Sequence, residues 1–200
     1  MAIPMLSIRN LSRPGLGPID FSLPGGNVLV VMGPSGAGKT LLLRALADLD
    51  PSDGDVLLDG DNREDIPAPS WRRRVAYVAA ESGWWADGVE RHFEDPAAAA
   101  KLLPQVNLNA DALSWPVSRL STGEKQRLSL IRTLVQKPQV LLLDEPTSAL
   151  DDTSKNGVEK LLMSRAADGV SLVIVTHDRL QAGRLGARIL MLRDGREIAP

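Results

Sequence analysis

The sequence contains no cysteine, so neither a disulfide framework nor a cysteine-ligated metal centre is open to it. That absence fits a reducing compartment. A large excess of charge of either sign is also missing. The formal net charge is −2, and the only tight basic cluster is Arg72, Arg73 and Arg74. Nucleic-acid binding normally rests on a cationic footprint, so this composition argues against it, and the three arginines read as a solvated face. Long apolar runs are absent too. The strongest, at 28–32, 140–143 and 172–175, are four or five residues long, against the roughly 20 that a membrane-spanning helix needs. Residues 1–10 carry no charged lead and no long apolar stretch, so no secretory signal is expected. The chain is therefore expected in the cytoplasm.

What is present is an ordinary globular composition, 44% hydrophobic and 24% charged over 200 residues, enough to bury one core. Short apolar runs alternate with longer helical patterns, as in a parallel sheet with crossover helices. Strands are predicted at 5–10, 19–23, 28–32, 54–58, 75–78, 140–143, 172–175 and 189–193, and helices at 39–46, 123–136, 153–167 and 179–185. Pro14, Gly15, Gly17 and Pro18 separate the first two strands and predict an antiparallel N-terminal β edge rather than a βαβ unit. Residues 82–135 lack strong strands. They are read as a helical lobe inserted into an α/β core formed by 1–81 and 136–200.

Between the strand at 28–32 and the helix that follows lies Gly33-Pro34-Ser35-Gly36-Ala37-Gly38-Lys39-Thr40, leading into Leu41. It fits the phosphate-loop pattern in its required strand–loop–helix setting. A glycine-rich turn converges backbone N–H groups on phosphates, and the helix aims its positive end at the same point. Lys39 is expected on the β and γ phosphates and the Thr40 hydroxyl on Mg²⁺. The apolar run 140–143 ends abruptly in Asp144-Glu145-Pro146, at the carboxyl edge where open α/β sheets bind ligands. Asp144 is expected to share Mg²⁺ with Thr40, and Glu145 to orient or deprotonate the attacking water. His177 closes the strand at 172–175 at the same edge and is placed to hydrogen-bond a γ-phosphate oxygen. These residues alone give a P-loop ATPase or GTPase; no N-K-x-D segment for guanine is present.

Leu120-Ser121-Thr122-Gly123-Glu124-Lys125-Gln126-Arg127 resembles the signature of ATP-binding cassette (ABC) proteins. Ser148-Ala149-Leu150-Asp151 looks like the D-loop of that family, and His177 matches its switch histidine. Their order covers nearly the whole chain. The resemblance implies a RecA-like P-loop fold, ATP and Mg²⁺ as ligands, and hydrolysis with Lys39, Glu145 and His177 as the catalytic groups. It also implies a head-to-tail homodimer with ATP between the copies, in which Ser121, Thr122, Gly123 and Glu124 of one copy complete the site of the other. The partner so implied is a separately encoded membrane-spanning transporter subunit, with this chain peripheral on the inner face of the cell membrane. A soluble ABC ATPase unconnected with transport and a non-hydrolysing ATP-binding regulator are the alternatives.

The chain departs from the family pattern in three respects. Thr122 and Glu124 stand where glycine and glutamine are usual. Ala80 and Glu81 occupy the Q-loop glutamine position, and Glu81 is the nearest substitute for it. No aromatic lies within 12–16 to stack on adenine, where Pro14 and Leu16 are the nearest apolar groups. The adjacent Trp84 and Trp85 are hard to bury on one face and mark a candidate surface for the membrane partner.

Overall fold

A computed structural model describes residues 6–199. Strands β1 (Leu6–Arg13) and β2 (Leu16–Leu23) are joined by a tight turn and pair antiparallel. Next come β3 (Val28–Met32), α1 (Lys39–Leu46), β4 (Asp53–Leu58), the two-residue β5 (Asp61–Asn62), α2 (Ala68–Arg74) and β6 (Val75–Val78). Residues 82–135 hold α3 (Pro96–Leu102), several short 3-10 turns and α4 (Thr122–Val135), with one isolated bridge between Gly88 and Pro116. β7 (Val140–Asp144), α5 (Asp152–Ala167), β8 (Ser171–Val175), α6 (Arg179–Arg184), β9 (Arg188–Arg193) and β10 (Arg196–Ile198) complete the order.

The strands form two sheets. One has the order β10-β9-β3-β8-β7-β6 and is parallel except for the terminal β9–β10 hairpin. The other is antiparallel, in the order β2-β1-β4-β5. The antiparallel N-terminal pairing therefore holds, and β4 joins it in a separate sheet rather than extending the parallel one. Of the predicted first strand, Met5 lies outside the described residues.

The central strands β3, β7 and β8 are buried at every position, and apolar except for Asp144 and Ser171 at their ends, because both faces are covered. Val28, Val30 and Met32 enter one core with Leu141, Leu143, Leu172 and Ile174, beside residues of α4 and α5. Leu29 and Val31 enter the opposite core with Leu142, Val173 and Val175, together with α1 and the antiparallel sheet. Side chains alternate across a strand, so one five-residue run feeds two cores. Strands buried in this way hold their carboxyl ends at one level, and the candidate site is built there.

Helix starts follow local chemistry. The Ser121 hydroxyl accepts from Glu124 N at 3.3 Å, and the Glu124 carboxylate accepts from Ser121 N at 2.8 Å, a complete capping box for α4. Asp151 caps α5 through Ser154 N at 2.9 Å, and Asp95 caps α3 through Ala98 N at 2.9 Å. Arg72, Arg73 and Arg74 form the last turn of α2, where cations suit the helix dipole. Acids sit against all three: Asp48 by Arg72, Glu94 by Arg73, and Asp59 and Asp61 by Arg74.

Candidate nucleotide site

The loop between β3 and α1 depends on three glycines at positive φ: Gly33 (152°), Gly36 (78°) and Gly38 (94°). A Cβ on Gly33 would fall 2.1 Å from the carbonyl oxygen of Leu192, so only glycine lets β9 pass behind the loop. The turn between β9 and β10 supports the loop from the same side. Its central residues Asp194 and Gly195 have φ of 51° and 74°, as a type I′ turn requires, and Gly195 N donates to Ala37 O at 3.2 Å. Gly195 O in turn accepts from Gly17 N at 2.7 Å, which ties in the β1–β2 turn.

A cavity of about 270 Å³ opens at this point. Ser35, Gly36, Ala37, Gly38, Lys39, Thr40 and Leu41 line one side, and Asp144, Glu145 and His177 the other. Gly33 and Pro34 stand beside it through Lys39, whose Nζ donates to both carbonyls at 2.9 Å. Burial lowers the Lys39 pKa, while Glu145 and Asp144 oppose that shift. Thr40 Oγ1 donates to Asp144 Oδ2 at 2.8 Å, and His177 Nε2 lies 2.8 Å from Glu145 Oε1. Glu145 itself sits in the left-handed region at φ 48°, with its N–H donating to Val175 O at 3.0 Å. A non-glycine residue held there stores roughly 1–3 kcal/mol of backbone strain, a mark often found at functional positions.

The structure thus brings together the loop, the acidic pair and His177, which are distant in sequence. It keeps Ser121 and Thr122 exposed, and none of Ser121, Thr122, Gly123 or Glu124 lines the cavity. Ser148 and Leu150 border a second cavity of about 250 Å³ that shares Glu145 and His177 with the first. Asp151 serves as the cap of α5. Ala80 and Glu81 are exposed and line neither cavity.

A protein-family model described as ABC transporter matches residues 16–148, well over half of the chain. The chain belongs to the ABC transporter family. The chain is 37% identical to the protein STAR1 of rice, over 96% of its own length and 61% of that protein's. It is 37% identical to the hemin import ATP-binding protein of Streptomyces coelicolor, over 92% of this chain and 71% of that one. Among solved structures, a dimeric ATP-binding cassette in a post-hydrolysis state with ADP and phosphate superposes with a TM-score of 0.78. Its sequence is 27% identical, with coverage of 97% of this chain and 98% of that one. Among the described residues, no helix of the ABC domain is long and apolar enough to cross a membrane.

Two residues around the ABC site escape a reading of motifs. Tyr77 in β6 donates its hydroxyl to Asp144 Oδ2 at 3.1 Å, the oxygen that also accepts from Thr40. Burial first, then the Asp144 charge, raises the Tyr77 pKa, so the phenol keeps its proton. Parallel register places Tyr77 opposite Leu142, near the acidic strand end, and no local spacing announces that pairing. Gln126 in α4 is buried and donates from Nε2 to the Glu145 carbonyl at 2.7 Å. The one available signal was a polar residue near the apolar face of a predicted helix.

At the candidate partner surface, the Trp85 ring is 70% exposed while Trp84 packs partly against the core. Both rings stand against the buried His92, at centroid distances of 4.5 and 4.8 Å. Arg132 lies over both, and His92 Nε2 accepts the N–H groups of Trp85 and Ala86 at 3.0 and 3.2 Å.

Proposed function

We propose that this chain binds ATP with Mg²⁺ and hydrolyses it as half of a head-to-tail homodimer, driving transport through a separately encoded membrane-spanning partner. The observation that carries the reading is the meeting of Lys39, Thr40, Asp144, Glu145 and His177 around one cavity under the N-terminus of α1. Thr40 Oγ1 and Asp144 Oδ2, two hard oxygens 2.8 Å apart, are the donor type Mg²⁺ selects, and they are the groups to hold it. Mg²⁺ when bound offsets negative charge on the β and γ phosphates.

Lys39 exchanges its two loop carbonyls for phosphate oxygens and brings its charge to the γ phosphate. The Glu145 carboxylate orients the attacking water and takes its proton. His177 steadies that carboxylate through the 2.8 Å contact and presents its ring to the γ phosphate. The nucleotide lies along Gly33, Pro34, Ser35, Gly36, Ala37, Gly38 and Leu41. Without an aromatic near 12–16, the affinity is about ten-fold lower than with a stacked adenine, a difference worth roughly 1–3 kcal/mol.

Exposure of Ser121 and Thr122 away from their own cavity supports action on a second copy, with Gly123, Glu124 and the D-loop residues Ser148, Leu150 and Asp151 at the same junction. The Glu124 carboxylate accepts the Ser121 hydroxyl at 2.8 Å, so that proton must turn to reach a phosphate. Residues 82–135 act as the lobe that meets the membrane partner, with Trp85 foremost, and the chain rests on the inner face of the cell membrane through that partner. The hemin import name of the Streptomyces coelicolor relative supports this assignment.

The test compares wild type with Glu145→Gln. Turnover by the wild type, a loss of about 10²-fold or more in the variant, and an ATP-dependent dimer of the variant on size exclusion are the expected results. Wild-type protein that binds ATP without turning it over refutes the reading. It would favour the regulator alternative, for which the missing glutamine at the Q-loop position, Ala80 and Glu81, speaks.

A further inference from the structure

We infer that Gln126 is a positioning residue that fastens the signature helix to Glu145 of the same chain, so that each ATP site senses what its own signature does at the other. The inference rests on the proposed dimeric ATPase. Gln126 is 4% exposed, in the second turn of a helix whose start at Ser121 and Thr122 is exposed. Its Nε2 donates to the Glu145 carbonyl at 2.7 Å, and its Oε1 accepts from Ala149 N at 3.4 Å. One side chain therefore bridges the acidic strand end and the D-loop.

Two further contacts make this seam stiff. Gly123 lies so close to Ala149 that a Cβ there would be 2.9 Å from its carbonyl oxygen, so the first turn of α4 rests flush on the D-loop. The Glu145 carbonyl also accepts from Ser148 Oγ at 3.1 Å and Ser148 N at 3.2 Å. Three donors thus fix the peptide that holds Glu145 at φ 48°, and only Gln126 among them comes from another element. A left-handed residue keeps its conformation only when its surroundings impose it. When the N-terminus of α4 shifts against the γ phosphate of a second copy, Gln126 carries the shift to the Glu145 backbone, and its carboxylate turns relative to His177.

The variants are Gln126→Glu, which removes the donor at constant shape, and Gln126→Leu, which keeps volume without either polar group. Each is assayed in the full chain for melting temperature, ATP dissociation constant with Mg²⁺, kcat, and the Hill coefficient for ATP. Loss of a buried hydrogen bond that aligns the base lowers kcat by about ten-fold or more in both, leaves ATP affinity within about two-fold, and brings the Hill coefficient toward about 1. Protonation returns a donor to the new carboxyl in Gln126→Glu. Its kcat relative to wild type rises as the pH falls from about 8 to about 6, the range of raised buried carboxyl pKa values, whereas Gln126→Leu shows no such recovery. Retention of kcat within two-fold in both variants overturns the inference, as does an equal loss of kcat and ATP affinity. A wild-type chain that fails to hydrolyse ATP refutes the proposed function itself and this inference with it. Undiminished turnover in the variants alone refutes only the part played by Gln126.

Discussion

Gly123→Ala sets two effects of known size against each other. Alanine in place of helical glycine gains up to about 1 kcal/mol of helix propensity, less in a first turn. Against that, the new Cβ lies 2.9 Å from the Ala149 carbonyl and 3.2 Å from Leu150 Cδ2, where ordinary contact begins at 3.4 Å. The backbone oxygen is the harder obstacle, and the seam must open by about half an ångström. Overpacking of this kind costs about 1–3 kcal/mol. The net is a loss of about 0–3 kcal/mol, which lowers the melting temperature by no more than about 12 °C at roughly 2–4 °C per kcal/mol. Catalysis suffers more than stability, because displacements on the scale of 1 Å cost up to about 10²-fold when they misalign reacting groups. The expected kcat is therefore about ten-fold lower, with ATP affinity of the single copy unchanged since Gly123 does not line its own cavity. Thermal unfolding and steady-state ATPase rates on the same preparation check this. A variant that melts above wild type with kcat within two-fold would show that α4 and the D-loop are not in close contact, and the reasoning would fail.

Other perturbations have outcomes of equal definition. The Lys155 ammonium holds Asp178 from 3.8 down to about 2. Stability from the ionised Asp178 is complete above its ordinary value and is lost as the pH falls toward about 2, so Lys155→Met flattens the acid limb of melting temperature against pH; parallel curves for the two proteins refute the pairing. Tyr77→Phe deletes one donor to the buried Asp144 carboxylate and costs about 1–2 kcal/mol, read from urea unfolding at constant m; an unchanged midpoint refutes that bond. Trp85→Ala leaves melting within about 2 °C, since surface changes rarely exceed about 0.5 kcal/mol, and weakens co-purification with the membrane-spanning subunit; undiminished recovery dismisses the docking role.

The parallel core was legible because strands buried on both faces are short, wholly apolar and flanked by strong punctuation, as at 28–32 and 140–143. The phosphate loop was legible because its glycines and lysine are consecutive. Other features are fixed by pairing between distant segments. Asp61–Asn62 is too short to show periodicity, and β10 is only three residues long. Arg72, Arg73 and Arg74 read as a charged run because the acids opposite them come from elsewhere in the chain. Tyr77 and Gln126 meet the site through strand register and helix burial, which local spacing does not encode.

The β9–β10 hairpin also bears on how binding competence arises. Its Gly195 grips Ala37, and Leu192 backs Gly33, so the anion cradle is finished by a segment far downstream of it in the chain. A polypeptide leaving the ribosome in order cannot grip nucleotide firmly until residue 195 has emerged. Capture of ATP thus doubles as a sign that synthesis of this region is done.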